Sequence, residues 1–229
     1  MAIYVNRIVK INQPLPDPPK IPEKVLNLNC LHFFPNNVMY GIPLYQITPY
    51  YLKDTEGHIY ENIWQFSKTY PVVDAQDEIK AGNIIWTHPT ETHVIDGKLT
   101  PQFWAWRKKG WNNPYAVRYP NGYHGRHKCL YALWFEDGQW IKLPYIPARK
   151  KIYCKVYANL VQGTEAYTML KKLHDDGQTL QICEMDVRPG LITEEVLRRE
   201  LNNPDQPFGH GYVLATCLLG LTHIFDEDN

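Results

Sequence analysis

No run of about 18 apolar residues occurs in the chain, so no stretch has the length and character of a membrane-spanning helix. The opening residues, Met1-Ala2-Ile3-Tyr4-Val5-Asn6-Arg7, lack a basic segment followed by an apolar one, which argues against a secretory signal. The five cysteines (Cys30, Cys129, Cys154, Cys183, Cys217) include no CxxC pair. An odd number of scattered thiols suits neither a disulfide frame nor a zinc site, and the expected compartment is the reducing cytoplasm. Internal repeats and low-complexity segments are also missing. With 24 basic and 24 acidic residues the formal net charge is zero, so overall charge says little about a nucleic-acid partner and only its distribution can. Apolar and aromatic residues, by contrast, are plentiful. At 44% apolar over 229 residues, the chain can build a sizeable core, in one large globular domain or one domain with decorations.

Residues 1–24 read as a strand or arm, Ile3 to Ile11, followed by a linker with five prolines from Pro14 to Pro22 lying on the domain surface. The domain proper is expected over residues 25–229. Leu31-His32-Phe33-Phe34 and Tyr50 to Lys53 read as short strands. The turn at Asp54-Thr55-Glu56-Gly57 then delivers the chain into a helix from Tyr60. Residues 71–101 are mostly loop, with strand candidates at Ile84-Ile85-Trp86 and Val94-Ile95. Cys129 to Phe135 and Gln139 to Leu143 form a hairpin about Glu136-Asp137-Gly138. Apolar residues recur at helical spacing from Ile152 to Val161 and again from Ala166 to Leu173. Leu180 to Met185 is a strand carrying Glu184, Thr193 is the N-cap of a short helix, and Tyr212 to Leu221 is a buried helix behind a glycine-containing loop. The fold class is α+β.

Four places have the residue types for chemistry. On the first helix, spacings of four and three put Glu61, Gln65 and Lys68 on one face, either a solvated face or the wall of a pocket. Residues 102–128 hold Arg107, Lys108, Lys109, Arg118, Arg126 and Lys128 without an acidic residue, interleaved with Trp104, Trp106, Trp111, Tyr115, Tyr119 and Tyr123. Cations bind phosphate and aromatic faces stack on bases, so this suits a nucleotide or single-strand surface. The alternative is a loop-rich insertion with its tryptophans packed on the core. His88, Glu91 and His93 suggest a metal site, but Pro89 prevents a helical HExxH arrangement and ordinary loop hydrogen bonding is expected. The loop Asn202 to Gly211 either offers backbone N–H groups to an anion or simply starts a tightly packed helix.

Taken in order, these features resemble the NADAR family. The family's opening strand is matched by Leu31-His32-Phe33-Phe34, and its next strand and turn by Thr48 to Asp54 with Gly57. Its signature helix, E-H-x-x-Q-x-x-K, appears as Glu61-Asn62-Ile63-Trp64-Gln65-Phe66-Ser67-Lys68, with Asn62 in place of histidine. Lys155-Val156-Tyr157, Tyr167, Leu170 and Leu180 to Glu184 follow the family's later helix and strand. Asp205-Gln206-Pro207-Phe208-Gly209-His210-Gly211 matches its D-x-x-W-G-x-G, with Phe208 for tryptophan and no counterpart of the asparagine that opens the final helix. Residues 71–145 have no equivalent and read as an aromatic and basic insertion.

The resemblance implies a single NADAR-like domain of short mixed strands and packed helices. Its expected activity is hydrolysis of an N-glycosidic bond in an ADP-ribosyl or ribosyl-phosphate compound, with removal of ADP-ribose from guanine in DNA or RNA as one form. Such chemistry passes through an oxocarbenium-like sugar and needs a carboxylate to activate water or stabilise the cation. Glu61 is the expected carboxylate, and Asp205 positions the ribose hydroxyls or shares the base role. Gln65 orients Glu61 or the ribose. Lys68 and the N–H groups of Gly209 to Gly211 bind phosphate, and Trp64 or Phe208 stacks on the base. Glu184 is a sugar contact or a structural acceptor. Arg107 and Arg118 extend the site from the insertion toward single-stranded or modified nucleic acid. Neither metal nor cofactor is needed, and no membrane is involved. Two alternatives stand beside the hydrolase: a non-catalytic ADP-ribose or nucleotide-binding module, and an interaction protein that reuses the fold.

Overall fold

Ile3 and Val5 alternate with Tyr4 and Asn6 along strand β1 (Ile3–Arg7), whose apolar side chains are buried. The computed structural model describes residues 1–10, 13–21, 23–31, 36–75 and 86–227. The chain divides into two compact units: Met1–Leu52 together with Arg149–Asn229, and the contiguous Lys53–Ala148. After β1, the first unit continues with β2 (Val25–Asn29). The second unit carries α1 (Tyr60–Gln65), β3 (Lys68–Thr69), β4 (Val72–Val73), β5 (Glu91–Thr92), β6 (Val94–Ile95) and β7 (Lys98–Leu99). It continues through α2 (Pro101–Trp111), α3 (Gly122–Gly125), β8 (Tyr131–Glu136), β9 (Gln139–Leu143) and α4 (Tyr145–Ala148). Back in the first unit, a π-helical segment, Arg149–Cys154, precedes α5 (Lys155–Val161) and α6 (Glu165–Asp175). Then come β10 (Thr179–Glu184), β11 (Gly190–Leu191), α7 (Glu194–Leu201) and α8 (His210–Leu218). The architecture is mixed α+β, and among the described residues no helix is long and apolar enough to cross a membrane.

The first unit is built on a four-stranded sheet in the order β11-β1-β10-β2. β10 runs parallel to both β1 and β2 and is buried along its whole length. Such an interior parallel strand is covered on both faces. α8 is buried at every position and packs against β10, α5 and α6. The N-terminal strand therefore belongs to this sheet; it is not a surface arm ahead of a domain that starts at Val25. Its pairing, Ile3 with Leu180 through Arg7 with Glu184, satisfies the backbone groups that a free arm would leave to water.

In the second unit, β3, β8 and β9 form a three-stranded antiparallel sheet. The β8–β9 hairpin turns as its sequence predicts: Asp137 (φ 50°) and Gly138 (φ 79°) adopt the left-handed pair that a two-residue turn needs. Phe66, Tyr70, Val73, Trp86, Trp106 and Val117 form one buried cluster. α2 presses so closely on it that a Cβ at Gly110 would fall within the Phe66 ring. α2 also corrects the loop-rich reading of residues 102–128. Thr100 caps it by accepting a 3.3 Å bond from the Phe103 N–H, and Pro101 occupies its first turn.

Other differences are local. Tyr50 to Lys53 is not a strand: Tyr51 and Leu52 N–H groups bond back to Thr48 in a turn, and Lys53 makes only an isolated bridge with Ile59. Leu31 is buried outside any strand, while His32-Phe33-Phe34 lie outside the described residues, as do Ile84 and Ile85. Trp86 is buried but is not part of a strand. The final helix starts at His210, two residues earlier than its apolar run suggested.

Candidate functional site

α1 has no solvated face. All six of its residues are buried, Glu61 at 6% and Gln65 at 7% exposure. The helix ends at Gln65, so Lys68 reaches this group from β3, where it pairs with Ala132 of β8. The three side chains form one line of hydrogen bonds. The Gln65 Nε2 donates to Glu61 Oε1 at 2.9 Å, and Lys68 Nζ donates to Gln65 Oε1 at 2.7 Å. The amide thus connects a carboxylate to an ammonium with every donor facing an acceptor. Lys68 Nζ also stands 4.6 Å from the centre of the Trp64 ring. Burial lowers the Lys68 pKa and nearby Arg118 lowers it further, against the opposing influence of Cys129 and Glu61. Burial raises the pKa of the neighbouring Cys129 thiol, against the lowering influence of Lys68. Glu61, Trp64, Gln65, Lys68 and Arg118 all belong to the second unit.

Sequence reasoning treated Asn62 only as a departure from a motif, yet it is fully buried and saturated. Its Nδ2 donates to Asn113 O (3.1 Å) and Tyr115 O (2.8 Å), and its Oδ1 accepts from Val117 N (2.8 Å).

Arg107 corrects an expectation. It is 4% exposed, donates through Nη1 to Phe66 O (3.3 Å) and Leu133 O (3.0 Å), and lies 4.4 Å and 4.9 Å from the Trp111 and Trp140 rings. Burial lowers its guanidinium pKa to about 9, still charged at neutral pH. It is therefore an internal cation that ties β8 to the end of α1. Other cations of this stretch also have partners within the unit. Lys109 donates to Thr87 O, Lys128 pairs with Asp74, and Arg126 donates to Tyr123 O while covering that ring. Composition could not reveal this, because it counts charges without saying which way they face.

His88 and His93 behave as loop and core residues. The two ring nitrogens of His88 face Pro89 O and Pro120 O, while fully buried His93 packs edge-on to Phe103 and Trp106, with Nε2 3.5 Å from Glu91 Oε2. Among the described residues no group of three or more His, Cys, Asp or Glu side chains could hold a metal ion.

The remaining expected site residues lie in the first unit, where Glu184 is a structural acceptor. It is 1% exposed, with Oε1 3.3 Å from His210 Nδ1 and Oε2 accepting the Asp186 N–H at 3.0 Å. His210, which sequence reasoning passed over, places Nε2 2.7 Å from Cys30 O. Burial alone would lower its pKa, but the charge and hydrogen bond of Glu184, with help from Cys30 O and Asp186, raise it overall. Both ring nitrogens thus face acceptors, an arrangement that suits an imidazolium.

Gly209 and Gly211 are corrected with it. The Gly209 N–H donates to Asp186 O at 3.1 Å, and a Cβ on Gly209 would overlap Glu184 Oε2. At Gly211 a Cβ would press on Glu184, Ile182 and Val187. The Glu184 carboxylate stands at the start of α8, where it faces His210 Nδ1, and both glycines are sites of close packing. Phe208 is likewise committed: it is buried and stacked on Tyr212 at 5.0 Å and 19°. Asp205 is exposed on a turn, where its N–H donates to Asn203 Oδ1 at 3.0 Å. That turn is held by Arg149, also unforeseen, which donates to the carbonyls of Glu200, Leu201, Asn203 and Gln206 from a buried position. Arg149 opens the π-helical segment after α4, and its place in sequence gave no signal for this. No protein-family model, curated protein or solved structure matches the chain.

Proposed function

We propose that the chain is a hydrolase of an N-glycosidic bond in an ADP-ribosyl or ribosyl-phosphate compound, with its chemistry on the Glu61–Gln65–Lys68 line of the second unit. The observation that carries this reading is the burial of that line. An isolated carboxylate is costly to bury, and here an amide and an ammonium compensate it across two hydrogen bonds. Charged groups held in a fixed, poorly solvated place favour developing charge more strongly than groups in water. The order of the residues along the chain, and their match to the resembled helix, point the same way.

In this reading Glu61 stabilises the developing positive charge at the anomeric carbon, or takes a proton from the attacking water. The water oxygen bonds to that carbon, the carbon–nitrogen bond breaks, and its electron pair leaves with the base. Gln65 holds the carboxylate by donating from Nε2 to Glu61 Oε1, while Lys68 and Arg118 attract the phosphate. Trp64 offers an aromatic face, and Asp205 has no part in the chemistry.

The test is incubation with ADP-ribosylated guanosine, and with a DNA oligonucleotide that carries the same group. Release of free ADP-ribose that falls by about 10²–10⁴-fold in Glu61→Gln supports the hydrolase. Binding of the substrate without release assigns a non-catalytic reader. Release that survives Glu61→Gln rejects this site.

A further inference from the structure

The β8–β9 hairpin leaves the sheet of the second unit with an open edge. Among the described residues the strand order is β3-β8-β9, so β9 has a strand beside it on one side only. Which of its backbone groups face outward follows from Leu133. The Leu133 N–H donates to Ser67 O at 2.7 Å and its carbonyl accepts from Arg107 Nη1, so both groups point away from β9. Leu133 is paired with Lys142, and in an antiparallel ladder a pair turned away on one strand is turned away on the other. The Lys142 N–H and C=O therefore point out of the edge, and by the two-residue repeat so do those of Trp140. The register runs without a break from Ala132 with Leu143 to Glu136 with Gln139, so no bulge blunts this edge.

The side chains of β9 decide which partner the edge fits. Set antiparallel to a second β9 about a two-fold axis at Ile141, Trp140 of each copy faces Lys142 of the other, and Ile141 meets Ile141. A lysine beside an indole is attractive in both charge and stem packing, and the axis makes the contact twice. An axis at Lys142 would instead oppose two ammonium groups, and one at Trp140 would set Lys142 against the hairpin turn. The strand is thus complementary to itself in one register. Trp140 is 43% exposed and Phe135, whose ring lies 5.1 Å from it, is 52% exposed. For rings of about 150–250 Å² this leaves roughly 200 Å² of aromatic surface per copy. A standard interface takes about 800 Å² from each partner, so pairing through this edge is weak and depends on concentration.

We infer that β9 is a self-pairing edge, through which two copies of the chain join as one continuous antiparallel sheet centred on Ile141. Each Trp140–Lys142 pair exchanges two backbone hydrogen bonds across the junction, and Pro144, which has no N–H, ends the ladder just past the strand. The surface uses none of the residues of the Glu61–Gln65–Lys68 line, so it stands whether or not that line is catalytic.

Sedimentation velocity of the full chain from about 1 μM to about 1 mM tests this, and monomer should pass to dimer in the upper part of the range. Lys142→Pro removes an outward N–H that the β8 ladder does not use, so it should abolish the dimer and leave the circular dichroism spectrum unchanged. Trp140→Lys sets like charges opposite each other in both pairs and should weaken the dimer by about tenfold or more. Adding Lys142→Glu to that variant makes the facing charges opposite in sign and should recover most of the loss. This rescue is read even where Lys142→Pro does not fold. Oxidation of Ile141→Cys should trap a disulfide-linked dimer, since that position meets itself with Cα atoms about 4.5 Å apart. Lys142→Cys, which faces Trp140, should trap far less. A chain that stays monomeric at about 1 mM overturns the inference. So does a dimer that survives Trp140→Lys or a folded Lys142→Pro, a missing rescue, or equal trapping at positions 141 and 142.

Discussion

Gly209→Ala tests the Glu184–His210 pair by a single methyl group. The new Cβ would overlap Glu184 Oε2 and stand 2.9 Å from both Glu184 Cδ and Asp186 Cβ. A carboxylate at the end of an unrestrained chain would swing aside cheaply. This one is held by the Asp186 N–H at 3.0 Å and faces His210 Nδ1 at 3.3 Å, at 1% exposure. Relieving the overlap therefore means moving a buried anion from its partners, or moving β10 away from α8. Overpacking by a methyl costs about 1–3 kcal/mol. Separation of a buried ion pair costs about 3–5 kcal/mol when complete. A total of roughly 3–5 kcal/mol follows, which lowers hydrogen-exchange protection of β10 and α8 amides by about 10²–10³-fold or more. Glu184→Ala in the same background removes the obstacle, so the double variant should be less unstable than the two single losses combined. Protection within threefold of native in Gly209→Ala would refute the description of this glycine as a packing requirement.

Two buried histidines should shift stability with pH in opposite directions. His93 is held at a pKa of about 4 by burial and by nearby His88. Between about pH 6.5 and 4 the unfolded chain thus binds a proton that the folded chain refuses, so stability falls on acidification by roughly 3 kcal/mol. Urea midpoints across that window should decline, and His93→Gln should flatten the decline. For His210 the folded pKa is raised, so its contribution is complete below the unfolded value of about 6.5 and is lost as pH rises through the folded value. His210→Gln should remove that alkaline component, and an unchanged slope would refute the Glu184 pairing. Arg107→Met should destabilise the second unit by about 2–4 kcal/mol, since charged hydrogen bonds to two carbonyls and two ring contacts vanish. Lys108→Ala, at an exposed position, should stay within about 0.5 kcal/mol in the same denaturation assay.

Local signals carried much of the secondary structure. The Asp137-Gly138 turn, the Thr193 cap, whose Oγ1 accepts from Val196 N, and the apolar strand through Ile182 each depend on neighbours in sequence. Thr100-Pro101 was an equally legible helix start, obscured by the aromatic and basic composition that follows it. What sequence could not supply was direction. Glu61 and Gln65 have the spacing of a solvated stripe, yet α1 is too short and too enclosed to have one. Arg107 and Arg118 belong to the same basic run, and only packing separates the buried cation from the half-buried one. Glu184 gained its partner from a histidine at the start of a later helix, a pairing with no periodicity to announce it.

The parallel arrangement of β1, β10 and β2 also has a consequence for synthesis on the ribosome. Asn6 of β1 and Gln181 of β10, whose side chains hydrogen-bond, are 175 residues apart, whereas the second unit is contiguous and can condense as it emerges. At about 5–20 residues per second, β1 waits roughly 10–35 seconds for the strand it lies against. During that interval Ile3, Val5 and Ile8 are apolar groups without their sheet, next to a proline-rich stretch that resists pairing with the wrong strand. The nascent chain thus has a period of vulnerability set by topology, and a chaperone's help would matter most before β10 leaves the exit tunnel.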